Sequence, residues 1–522
     1  MQQEPLRAPL DPLKYKSACP DYKNYATRKH PPYSEGPLEL PFQRPLEYCR
    51  TFTSPLVEKI IADMSEKIID KDLARLFQNA FPNTLDTTVR WHTDGTVKHK
   101  KSKILWDADA WKGPQSFIVT GDINAEWLRD STNQLAQYQP LAKKDKEIHN
   151  LILGAINTQV EYVIGSPYCN AFQPPPPSGL SPTYQGDGDN VHPGYEQSFV
   201  FECKYELDSI AHFLSLANQF YNHTKSTKFV TPRWLLAIDT MLELLKAQSK
   251  PTFNEKTGSY QRNEYSFQRR TNSGTETLNL NGIGNPLKGG TGLVRSAFRP
   301  SDDATILGFL IPANAMVSVE LKRTADILQS VGKKQLAGVL SGWAETISAG
   351  VWEHGVVQHK KYGKVFAFEV DGYGSSILMD DANLPSLLAL PLLGFVNSDD
   401  EVYKNTRKMI LEKNGNPYYL SGKDFHGIGG PHIGLEHAWP MSVLVQAMTS
   451  ESDEEITKCL GLVKNVSRNG LVHESVSVDY APDYTRSWFA WANSVFAQTI
   501  LDLAQRKPHL LFGPNAEPYV LG

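Results

Sequence analysis

The sequence predicts an all-α protein: an (α/α)6 barrel, a toroid of helical hairpins, with small β pieces and long loops over the active-site end. Three observations point there. Apolar residues recur at helical spacing in a dozen or slightly more segments, and only one stretch in the later chain, VFAFEVDG at 365–372, reads as a strand. The helical segments pair into hairpins of about 35 to 40 residues without any sequence repeat, and six such pairs close a ring. The connections at 165–198 and 252–298 are long and rich in Gly and Pro, a length usual for binding loops and lids. Pattern alone fits an open helical bundle equally well.

In chain order, residues 1–50 are rich in proline, charge and tyrosine, which predicts an extended arm lying on a single catalytic domain of residues 51–522. Helices are expected at 55–80, 123–138, 144–164, 199–221, 231–248, 302–311, 313–330, 333–351, 383–394, 400–413, 437–449, 452–464 and 486–506. Short strands are expected at 87–91, 103–108 and 116–121.

Composition bounds the function. With 40% hydrophobic and 21% charged residues and a net charge of −4, the 522-residue chain is of ordinary globular type. It has no basic footprint for nucleic acid and no run of apolar residues long enough to span a membrane. Five scattered cysteines include no CxxC pair, so neither a zinc site nor a redox motif is expected. The N-terminus lacks an apolar h-region, which favours a cytoplasmic protein over a secreted one whose leader has been removed. Sequons occur at Asn222 and Asn465. Oligomeric state has no signature in the chain.

Carboxylates and aromatics gather where helices should begin. TGDINAEWLRDSTNQ (120–134) holds Asp122, Glu126, Trp127, Arg129 and Asp130, with Asp122 placed to cap the helix. KYELDS brings Glu206 and Asp208 to a helix start, and FRPSDDAT does the same for Asp302 and Asp303 behind Ser301. Asp380 and Asp381 precede another apolar run. GGPHIGLEHAWP supplies His432, Glu436 and Trp439, and HES…YTRSWFAWANS supplies Glu474, Arg486 and Trp491. Each acid taken singly also fits a cap or a favourable end charge. If the inner helices start at one end, the acids converge on one pocket, and paired carboxylates among aromatics are the equipment of glycoside hydrolysis. Phosphate-binding loops, GxSxG nucleophiles, zinc-peptidase motifs and the DDxxD magnesium motif all fail on spacing.

In order along residues 55–505, TGDINAEWLRDST, KYELDS, FRPSDDAT, LMDDANLPSLL and HES…YTRSWFAWANS resemble glycoside hydrolase family 125, the exo-α-1,6-mannosidases. The resemblance implies an (α/α)6 barrel that removes terminal α-1,6-linked mannose with inversion, using no metal or cofactor. Its substrate would be a mannose-containing oligosaccharide or glycan. It assigns Asp208 as general acid and Glu474 as general base. Substrate contacts are expected from Arg129, Asp130, Trp127, Asp302, Asp303, His432, Trp439 and Arg486. The loops at 165–198 and 252–298 are longer than in the bacterial pattern, which leaves the leaving group open. A catalytically inactive carbohydrate-binding protein of the same fold, or another (α/α)6 glycosidase such as a glucosidase or trehalase, remain the alternatives.

Overall fold

The structure is a computed structural model that describes residues 19–184, except 96–108, together with 186 and 188–521. The strand expected at 103–108 and the first part of the arm lie outside the described residues.

Helices alternate between an inner and an outer layer. The outer layer comprises α2 (Lys71–Ala80), preceded by α1 (Pro55–Lys67), then α4 (Lys146–Gly165), α6 (Pro232–Gln248), α8 (Lys334–Gly355), α10 (Glu401–Ile410) and α12 (Asp453–Val466). The inner layer comprises α3 (Leu128–Ala136), α5 (Leu207–Thr224), α7 (Ile311–Ser330), the single-turn α9 (Leu390–Leu393), α11 (Pro440–Met448) and α13 (Ala490–Arg506). Around the ring α13 packs on α3, α3 on α5, α5 on α7 and α7 on α9, while α11 packs on α13. The Ala382 amide donates to the Gly429 carbonyl at 3.1 Å, joining the segments that lead into α9 and α11.

Layer position is written in the side chains. In the outer α10 the buried positions are Tyr403, Thr406, Met409 and Ile410, one stripe at helical spacing. Inner α3 is buried on nearly every face, including Arg129, Asp130, Ser131, Thr132 and Gln134. Its polar groups therefore need internal partners. Gln134 donates to the Val119 carbonyl at 3.0 Å, and Gln159 of α4 donates to Ser131 at 2.8 Å.

Very short strands set the inner helix starts at one end of the ring. Glu126–Trp127 (β1) pairs with Ala171–Phe172 (β2), which pairs with Val200–Glu202 (β3). Phe309–Leu310 (β4) pairs with Glu369–Val370 (β5), and His437–Ala438 (β6) with Val476–Ser477 (β7). The first of these ladders holds the entries to α3 and α5 together, and the other two brace the entries to α7 and α11 separately.

Several expected boundaries shift for local reasons. The helix expected at 123–138 begins only at Leu128, because Glu126 and Trp127 are drawn into β1; Asp122 does not cap it and instead pairs with Arg486. The segment 302–311 is not helical. Arg299 and Asp303 close a tight turn through the Arg299 amide to Asp303 carbonyl bond at 2.7 Å, Asp302 adopts φ +68°, and the Glu369 carboxylate takes the amides of Ile306 and Leu307, both at 2.9 Å. The segment 383–394 retains only α9, since the Asp380 carboxylate accepts from the Leu387 and Leu388 amides at 2.8 and 2.9 Å and holds the chain off a helix. The segment 55–80 splits where Asp70 caps α2. The strand read at 365–372 is two, Gly363–Phe366 and β5.

Residues 19–50 run across the ring, fastened by buried charge. Arg44 donates to Asp86 at 2.7 Å and forks onto Glu58 at 2.6 and 2.8 Å. Four of the five cysteines are joined, Cys19 to Cys49 and Cys169 to Cys203, a pairing their spacing did not signal and one that persists in oxidising compartments. No helix among the described residues is long and apolar enough to cross a membrane.

Candidate active site

At the strand-bearing end of the ring lies an open pocket of about 450 Å³. One wall comes from β1 and the start of α3: Trp127, Arg129 and Asp130. The 298–305 turn contributes Ser301 and Asp302, and the approach to α11 contributes His432 and Trp439. Glu474, Arg486 and Trp491, from the last motif, complete it. The structure thus brings together eight of the ten predicted site residues. The other two, Asp208 and Asp303, lie behind the lining: Asp208 is fully buried and Asp303 is 1% exposed.

Arg129 organises the acids. Its guanidinium meets Glu206 at 2.5 Å, Asp208 and Asp302 at 3.4 Å each, and Asp130 at 3.5 Å, and it lies 5.3 Å from the centre of the Trp491 ring. Four carboxyls around one cation cannot all be ionised where water is excluded. Burial pushes Asp130 up to about 7 and Asp208 up to about 6, against the pull of Arg129 in both cases. Glu206 and Asp302 are in direct hydrogen-bond contact. Burial raises Glu206 far above the carboxylate range. Burial also works against the Asp302 anion, but Lys204, Arg129 and the Glu206 hydrogen bond outweigh it and hold Asp302 low. Of the two, Glu206 is the group pushed toward its protonated form and Asp302 the one held toward its anion.

The Glu474 part of the lining is built differently. Thr485 donates to Glu474 Oε2 at 2.7 Å, and Arg486 Nε lies 3.1 Å from Oε1, so this carboxylate is oriented from both sides. Arg486 is itself braced by Asp122. His432 lies 3.4 Å from Asp303. Burial lowers its pKa, but Asp303, helped by Asp302 and Glu474, pushes it up to about 9, so it faces the pocket as a cation. His212, under Asp208, is brought down to about 3 by burial and by Arg129; it is neutral and donates from Nδ1 to the Asp208 carbonyl at 2.7 Å.

Asp302 owes its place to backbone geometry. It sits in the left-handed region, which Asp tolerates better than most residues, at the tip of the turn that Arg299 and Glu369 pin through a 2.6 Å ion pair. Sequence reading missed the partners: Thr485, the Glu206–Asp302 contact and Asn383 in the pocket wall. Thr485 stands directly before Arg486 in the YTRSW motif, and that position was the available signal.

Glu126 lies just behind the site, fully buried, with Oε2 accepting from the Ile118 amide at 3.1 Å and Oε1 without a partner among the described residues. Burial pushes its pKa up to about 8, and likewise that of Asp380. A carboxyl raised above its unfolded value, about 4.3 for Glu, contributes stability fully below that value and loses it as pH rises through the folded pKa. The melting temperature is therefore expected to fall as pH rises from about 4 to about 8, and Glu126→Gln to flatten that fall. Equal slopes for both proteins in thermal melts would refute the assignment.

A pocket lined by acids and tryptophans, at one end of an (α/α)6 ring, fits a glycoside hydrolase of the toroid class. The profile of the family described as "Metal-independent alpha-mannosidase (GH125)" matches residues 70–501, and the chain belongs to that family, glycoside hydrolase family 125. It is 54% identical over 495 residues to the Meiotically up-regulated gene 157 protein of Schizosaccharomyces pombe, covering 95% of this chain and 94% of that protein. It also matches a solved Streptococcus pneumoniae structure, described as a metal-independent alpha mannosidase in a non-productive substrate complex with alpha-1,6-mannobiose. The TM-score is 0.76 at 31% identity, over 87% of this chain and 99% of that one.

Proposed function

We propose that this α-mannosidase removes terminal non-reducing α-1,6-linked mannose with inversion of configuration. The observation that carries the reading is the pocket itself. It is lined by the buried Arg129, Asp130 and Trp127 on one segment and by Asp302 and Glu474 on two others. The Streptococcus pneumoniae relative's α-1,6-mannobiose complex supports the linkage. Inversion needs one carboxyl to protonate the leaving oxygen and one carboxylate to deprotonate water on the opposite face, about 6.5–9.5 Å apart.

Glu474 suits the base. Thr485 and Arg486 fix its direction, and both leave it free to accept a proton from water at the pocket surface. The acid is better placed at Asp302 than at Asp208. Asp208 has no exposed surface and sits beneath Arg129, whereas Asp302 lines the pocket. In this scheme the proton passes from Glu206 to Asp302, and from Asp302 to the leaving oxygen as the glycosidic bond breaks. Asp208 then serves to hold Arg129 and is a positioning residue. Asp130 and Arg129 grip hydroxyls of the terminal sugar.

Two experiments test this. Pure protein incubated with α-1,6-mannobiose and EDTA should release β-mannose first by NMR; α-mannose first, or no release, overturns the reading. Asp302→Asn should lower kcat on mannobiose by about 10²–10⁴-fold, the weight of a general acid. An aryl mannoside, whose leaving group needs no proton, should recover much of that loss. Asp208→Asn should show no such recovery and a lower melting temperature; the reverse ranking would return the acid role to Asp208.

A further inference from the structure

A second cavity, of about 1030 Å³, adjoins the first. The two share a partition: Pro300, Ser301 and Asp302 face the catalytic pocket, while Arg299 and Ala304 of the same turn line the second cavity. His432 faces one and Pro431 the other. The far wall comes from the long 252–298 connection, through Gly274, Thr275, Thr277, Asn279 and Asn285. A chain of side-chain amides fastens that wall to the turn. Asn279 donates to Asn285, which donates to the Ile306 carbonyl, each at 2.6 Å.

Three features show that the cavity is more than a gap in packing. Arg299 is 2% exposed, lines the cavity, and its second terminal nitrogen has no partner among the described residues. Leu280 and Asn281, beside Asn279, are consecutive left-handed residues at φ 48° and 58°, and strain of this kind gathers at ligand clamps. The lining is also chemically distinct from the catalytic pocket. It contains no carboxylate and alternates amides and hydroxyls with apolar faces, among them Met379 and the ring of Tyr418. An uncharged polyol with CH faces and many hydroxyls fits that alternation.

We propose that this cavity is a distal leaving-group subsite, holding the third and later residues of a mannooligosaccharide, counted from the terminal mannose that is released. The proposal rests on the mannosidase reading above. An acid on the 298–305 turn places the leaving oxygen at that turn, and this cavity lies on the turn's other face. The enzyme's substrate is then an extended or branched α-mannoside, with mannobiose as a minimal fragment that leaves the cavity empty.

Gly274 provides the test, because a Cβ built there meets nothing within 4 Å. Gly274→Trp should fill the cavity without disturbing the ring. Wild-type kcat/KM should be higher for α-1,6-mannotetraose than for mannobiose. Gly274→Trp and Asn279→Ala should each lower the tetraose value by about tenfold, the weight of one or two net hydrogen bonds, and leave the mannobiose value unchanged. Equal wild-type values for the two substrates, or parallel losses on both in the variants, would overturn the subsite. Calorimetric titration of mannotetraose into Glu474→Gln, with and without Gly274→Trp, reads the cavity without turnover. Weaker binding in the double variant supports the subsite even if the linkage or stereochemistry proposed above fails, and unchanged binding refutes it.

Discussion

Replacing Glu474 by glutamine is expected to lower kcat on α-1,6-mannobiose by about 10²–10⁴-fold, the range for loss of a general base. The melting temperature should barely move. The glutamine carbonyl can still accept from Thr485, and the side chain stands at the pocket surface rather than in the core. What disappears is the capacity to take a proton from water. Azide, which needs no deprotonation, should attack the same face and restore turnover as β-mannosyl azide. Release of α-mannosyl azide, or a Glu474→Gln protein with wild-type kcat, would remove Glu474 from the base role.

The second large effect is expected at Arg129. Its guanidinium is the shared counter-charge for Glu206, Asp208, Asp302 and Asp130, and its side chain is 4% exposed. Arg129→Met keeps the stem and removes the charge, leaving buried acids without compensation. Breaking a buried ion pair from one side costs about 3–5 kcal/mol, and chemical denaturation should show a loss of that order together with lost activity. Much of the stability should return as pH falls and the acids take up protons; a loss independent of pH would mean that Arg129 acts by packing on Trp491 instead. Arg129→Lys should fall between the two proteins, since an ammonium restores charge but not the spread of donors that reaches four carboxyls.

The ring was legible because its helices carry their layer in their residues. Leu56, Ile60, Ile61 and Met64 mark the buried stripe of α1 in the sequence, and Ile60, Ile61 and Met64 are buried in the structure. Leu128 and Leu135, set in and just after the charged 120–134 stretch, marked a helix buried on several faces, and both are buried in α3. The pocket was legible as a set of motifs and much less so as a set of roles. Asp208 and Asp302 look alike in sequence, each an acid expected near a helix start. What separates them is tertiary: Asp208 lies on a true helix whose first turn is buried, while Asp302 lies on a turn that Glu369, 67 residues on, holds open by taking two amides. No local pattern encodes that contact. The same holds for the cysteines, whose partners stand 30 and 34 residues apart across loops without periodicity.

Ring closure has a consequence for how the chain is made. The first inner helix, α3, is completed only by the last, α13: Gln137 donates to Ser494 at 3.1 Å, and Arg129 lies over Trp491. A nascent chain emerges with α3 and its acids already synthesised and must wait for more than 350 further residues before their lid exists. Until the ribosome releases the C-terminus, the growing ring has an open seam of apolar and charged surface, and such surfaces invite aggregation. Chains that stop before α13 lack Trp491 and the helix that packs on α3, and are expected to be inactive in assays of the purified fragments.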